Sequence, residues 1–161
     1  MISVKVYGKL AEVKINNFTV QASYGTNLPV EILQAFVHSY EDDIPASVYF
    51  NTEEMEYIFT SYGPFTYLIE KGERSTLRSF NSDRDVLATE LLADVEEHLE
   101  EWADWMPYAT VHDTQKAVLL YLTAALRHAM AEYKRTFEKF KLQDIARKQA
   151  EEEEERKNRH F

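Results

Sequence analysis

Hydrophobic and polar positions along the chain fall into strand-like runs, then one helix-like stretch, then strands again, and beyond residue 81 into helical period throughout. ISVKVY, LAEVKI and FTVQAS are β-rich runs of six residues within residues 1–26, separated by Gly8-Lys9 and Asn16-Asn17. Gly and Asn accept the positive φ of tight primed turns, so the three runs predict an antiparallel meander. In NLPVEILQAFVHSYEDD, Pro29 stands near the start and Ile32, Leu33, Phe36 and Val37 follow helical spacing, which predicts a short amphipathic helix ending before Pro45. SVYFN, EYIFTSY, FTYLIE and STLRSF then read as strands, with turns at Glu53-Glu54, Gly63-Pro64 and Lys71-Gly72. Seven aromatics lie between Tyr49 and Tyr67, so this stretch should supply much of the sheet and core. Apolar neighbours such as Tyr49-Phe50 and Ile58-Phe59 predict a sheet covered on at least part of each face.

Ser82 suits an N-cap with Asp85 three residues on, while Asp83 and Asp85 favour the first turn against the helix dipole. That helix, 83–106, is expected to stop at Pro107. After PYATVH, Asp113 or Thr114 caps a last helix that meets no Gly or Pro before the chain ends. Run from 114 to 158 it spans about 68 Å, against about 36 Å for its neighbour. The two cannot match along their lengths. The first half, AVLLYLTAALRHAMAEY, is apolar nearly all round and is expected to be buried, with the second half an amphipathic projection. The expected fold is α+β: an antiparallel sheet with one inserted helix, then a C-terminal helical hairpin. Residues 1–112 would form the domain, and residues 113–161 the long helix with its charged tail.

Composition narrows the chemistry. The 161 residues include no cysteine, which removes disulfides, thiolate metal sites and a cysteine nucleophile. No run of ~18 apolar residues predicts a membrane span. MISVKVYGKL lacks a secretory apolar core, so a cytoplasmic location is expected. A net charge of −10 argues against direct nucleic-acid binding. With four glycines, neither a dinucleotide nor a phosphate-loop signature can be written, and no nucleophile elbow is present. His98 with Asp94 and His128 with Glu132 share helix faces, but two ligands per helix fall short of a metal site. Glu96, Glu97 and Glu100 match the E-E-x-x-E spacing of helical nucleotide pyrophosphohydrolases, yet the second acidic pair those enzymes need is missing. Asn17-Phe18-Thr19 is a glycosylation sequon by letter only. No catalytic residue, metal or cofactor is assigned, and a non-enzymatic protein is expected.

Charge placement is the informative feature. Residues 1–82, 83–112 and 113–161 carry −4, −8 and +2. On the helix 83–106, Ala88, Leu92, Val95, Leu99, Trp102 and Met106 form an apolar seam, and Glu90, Asp94, Glu97, Glu101 and Asp104 form a carboxylate row on the opposite side, broadened by Glu96 and Glu100. Like charges at that spacing repel by a few tenths of a kcal/mol per pair. Three readings fit: a solvated face, neutralisation by the last helix, where Arg127, Lys134, Lys141 and Lys148 recur every seven residues, or a surface for a basic partner. The row spans about 21 Å and presents a field similar to that of a phosphate backbone. In general character, though by no particular motif, the chain resembles acidic protein mimics of nucleic acid. The function expected first is therefore a regulator or inhibitor binding a basic partner, such as a host nuclease, through that row. The alternative is an adaptor that self-associates as a homodimer through its C-terminal coiled coil. Its candidate dimerisation residues are Tyr133, Phe137 and Phe140, which with Met130 step at helical period in a packing seam.

Overall fold

The computed structural model describes residues 2–7, 10–16, 18–23, 26–52, 54–105 and 111–160. The Gly8-Lys9 turn, Asn17 of the sequon, Glu53, Met106 of the seam and the stop at Pro107 lie outside them. Strands β1 (Ile2–Tyr7), β2 (Leu10–Ile15) and β3 (Phe18–Ser23) form the expected antiparallel meander. Val4, Val13 and Val20 pair in register across it, and all three are buried. Asn16 takes φ 53° between β2 and β3, the conformation for which Asn is suited.

Helix α1 (Leu28–Asp42) starts with Pro29 in its first turn and ends at Asp43, which is left-handed with φ 52°. Its buried face includes Ile32, Leu33, Phe36, Val37 and Tyr40. Strands β4 (Ala46–Asn51), β5 (Glu56–Tyr62), β6 (Phe65–Lys71) and β7 (Ser75–Phe80) make a second antiparallel meander. The molecule is thus α+β with two sheets rather than one.

Alternation in the second sheet sends Val48, Phe50, Tyr57, Phe59 and Leu68 into the core. The other face is not covered, contrary to the expectation from neighbouring apolar residues. Tyr49, Ile58, Ile69 and Leu77 pair in register across all four strands, yet each is exposed. Among the described residues no helix lies over them, because the helices pack on the inner face and on the first sheet.

The acidic helix is interrupted. Helix α2 (Arg84–Glu97) and helix α3 (Leu99–Asp104) meet at His98, whose φ −120° and ψ 41° leave helical geometry. Asp83, not Ser82, is the N-cap of α2, and its carboxylate accepts from the Asp85 amide at 2.7 Å. Ser82 accepts a hydrogen bond from Asn16 instead. Gly63, at φ 54° in the β5–β6 turn, accepts the Arg84 amide at 2.8 Å and ties that turn to the start of α2.

Helix α4 (His112–Arg159) runs for 48 residues, about 72 Å. Gln115, Leu119, Leu122, Leu126 and Ala129 are buried against the domain. Gln115 is clasped by both amide atoms of Asn27, at 2.7 and 3.0 Å, and donates to the Trp105 carbonyl at 3.1 Å. The expectation of burial all round fails on the opposite face, where Tyr121 is 73% and Leu120 48% exposed. One side of α4 meets protein and the other meets water. No helix among the described residues is long and apolar enough to cross a membrane.

Candidate functional site

The five carboxylates of the predicted row do not form one free line. The interruption at His98 divides them between α2 and α3, and burial divides them further: Glu90 and Asp94 are half-buried, whereas Glu97, Glu101 and Asp104 are exposed. Asp94 accepts from the Trp102 indole at 2.7 Å and lies 3.3 Å from the His98 imidazole. Burial raises its pKa, against the opposing pull of Trp102 and His98. Asp104 lies 3.2 Å from His112. The acidic surface available to a visitor therefore contracts to Glu97 and Glu101, which make no ion pair or hydrogen bond among the described residues.

Neutralisation comes from α4, and it acts mainly on Glu96 and Glu100, the acids that broaden the row. Arg127 grips both carboxylate oxygens of Glu96, at 2.6 and 2.7 Å. Lys116 binds Glu100, which also lies 3.3 Å from His112, and Lys116 holds the Glu100 pKa below its ordinary value. Two helices that would otherwise carry mismatched charge are bridged along their exposed seam. Exposed pairs of this kind are screened by solvent and contribute little, so their effect is alignment more than strength.

A raised carboxylate pKa means that the folded chain holds this proton more tightly than the unfolded chain does. The Asp94 contribution to stability is therefore present at acid pH and is lost as pH rises through and just above the ordinary carboxylate range. Asp94→Asn keeps an acceptor for Trp102 and removes the charge. Thermal midpoints measured across pH should show the variant at its best relative to the wild type near neutrality, with that advantage shrinking on acidification. An advantage independent of pH would contradict the assignment.

The three predicted dimerisation residues also divide. Tyr133 is taken up by the domain: its ring stands edge-on to Tyr40 at 5.5 Å, and its hydroxyl donates to Asp43 at 3.2 Å. Phe137 and Phe140 are 61% and 66% exposed. They border a groove of about 500 Å³ between the end of α1 and α4, together with Tyr40, Asp43, His128 and Glu132.

Beneath that groove lies a joint the sequence did not announce. Arg84 is 4% exposed. Its guanidinium carbon sits 4.2 Å from the Tyr40 ring centroid, 4.8 Å from Tyr133 and 5.5 Å from Tyr62. Nη1 donates to the Ser39 hydroxyl at 3.1 Å. Burial works against its charge, but Tyr133, Tyr40 and Asp85 outweigh it and raise its pKa. Burial and the hydrogen bond to Asp85 drive the Tyr40 hydroxyl strongly upward, so it stays protonated. One cation thereby links the start of α2, the end of α1 and the middle of α4. The only trace in the sequence was a lone base among the acids of 83–112.

Among the described residues no group of three or more His, Asp or Glu side chains is placed to hold a metal ion. Comparison of the chain with protein-family models, with curated proteins and with solved structures finds no match.

Proposed function

We propose that this chain is a non-enzymatic adaptor that self-associates through α4. One observation carries the reading. Beyond Tyr133 the helix leaves the domain and exposes every large apolar side chain it bears, namely Phe137, Phe140, Leu142 and Ile145, at 61, 66, 69 and 44%. Fully burying such side chains contributes about 1.5–3 kcal/mol each, an incentive that a solitary arm in water forgoes. A basic partner at the acidic face would now rest on Glu97 and Glu101, a much smaller platform than an unbroken row of five.

Sedimentation velocity of the full chain tests the proposal. A dimer is expected in the micromolar range, and replacing Phe137, Phe140, Leu142 and Ile145 together by Glu should give a monomer with unchanged helix content by circular dichroism. A parent chain that sediments as a monomer throughout that range ends the reading.

A further inference from the structure

A cleft of about 950 Å³ opens where the first sheet meets the second, between the β2–β3 turn and the end of β7. Its walls are tied together. The Asn16 amide donates to the Ser82 hydroxyl, the Thr66 hydroxyl donates to the Ser82 carbonyl at 2.8 Å, and the Phe18 and Phe80 rings lie 6.4 Å apart. Charge sets this cleft apart from the rest of the surface. In a chain of net charge −10 it is lined by Lys14 and Arg78 and, among the described residues, by no carboxylate. The grooves beside Tyr40, Thr89 and Asn51 each carry Glu or Asp.

Both cations have binding capacity left over. Lys14 is exposed and makes no ion pair or hydrogen bond among the described residues. Arg78 is fixed by two contacts: its Nε donates to Glu70, and its guanidinium carbon sits 4.4 Å from the Phe18 ring centroid. Its two Nη groups have no partner among the described residues. We infer that this cleft binds a nucleoside monophosphate, the phosphate on Lys14 and Arg78 and the base against the aromatic surface of Phe18 and Phe80; the inference does not depend on self-association through α4.

Charge, size and surroundings select that ligand. A phosphate monoester carries about −1.5 to −2, which two cations match, and a guanidinium offers its oxygens parallel donors. An inorganic phosphate would leave both rings bare in a space at the upper end of the ~300–1,000 Å³ usual for small-molecule pockets. Asn81, exposed at the rim, supplies a donor and an acceptor for a sugar or a base edge. A long polyanion fits less well. Glu12 precedes Lys14 by two residues on the same face of β2, and Glu70 stands behind Arg78, so a strand leaving the cleft meets carboxylates.

Isothermal titration calorimetry of the full chain tests the inference, with adenosine monophosphate, adenosine and inorganic phosphate as probes. The monophosphate should bind at low salt with a dissociation constant below about 1 mM, about tenfold or more tighter than either half alone. Lys14→Glu removes a side chain without an intramolecular partner, so the fold should be kept, and it should weaken the monophosphate about tenfold. Lys14→Arg should keep the affinity, and the amide resonances of Lys14 and Asn81 should shift on titration. Absence of monophosphate binding overturns the inference. So does binding that Lys14→Glu leaves unchanged, or inorganic phosphate bound as tightly as the monophosphate. A short single-stranded DNA that outcompetes the monophosphate would overturn it in favour of a nucleic-acid surface.

Discussion

Arg84→Ala is expected to lower the free energy of unfolding by about 3–5 kcal/mol, the range found when one member of a buried charged cluster is removed. The loss has two parts. The guanidinium fills the space among Tyr40, Tyr62 and Tyr133, so truncation leaves a void at the meeting point of α1, α2 and α4. It also strips the Ser39 hydroxyl of a buried donor. For a chain of this size, ~2–4 °C accompanies each kcal/mol, so the thermal midpoint should fall by roughly 6–20 °C. Arg84→Lys should recover little, because an ammonium neither stacks as a plane nor presents the same fork of donors. Arg84→Met restores volume without charge and should lie between the wild type and the Ala variant. Calorimetry on the three variants checks the order. An Ala variant within about 1 kcal/mol of the wild type would show that the tyrosines close over the gap unaided.

Trp102→Ala should be comparably severe, at about 3–5 kcal/mol, since the indole is 1% exposed and a bulky core side chain leaves a large cavity. Trp102→Phe separates its two contributions. Phe keeps most of the volume but withdraws the donor from Asp94, a half-buried carboxylate whose pKa burial already raises. That second loss should cost about 1–3 kcal/mol. Urea unfolding with an unchanged slope is the appropriate measurement, because the slope reports whether the same surface is still being exposed. Were Phe to cost as much as Ala, the hydrogen bond rather than the packing would hold the α2–α3 joint.

Local signals were the ones the sequence carried well. The six-residue runs of the first meander reappear as β1, β2 and β3 with the same bounds. The seam of α1 is buried as its spacing implied. What escaped depends on partners distant in the chain. Arg127 meets Glu96 across 31 residues and Lys116 meets Glu100 across 16, so a row drawn on one helix could not show which acids the next would neutralise. Hydrophobicity alone gave α4 a burial it has on one side only, because periodicity marks a face as apolar without saying whether anything covers it. The same limit placed Tyr49 and Ile58 on a face expected to be covered, when the sheet turns them, with Ile69 and Leu77, to water. At His98 the helix yields within a stretch of uninterrupted helical period.

The passage of one unbroken helix from inside the domain to well beyond it gives that helix mechanical leverage. From Tyr133 to Arg159 the free length is about 39 Å, so a tilt of about 5° at the tyrosine joint carries the tip about 3 Å sideways. A change of rotamer at Arg84 that tilted the helix by that much would be written large at the far end of the molecule.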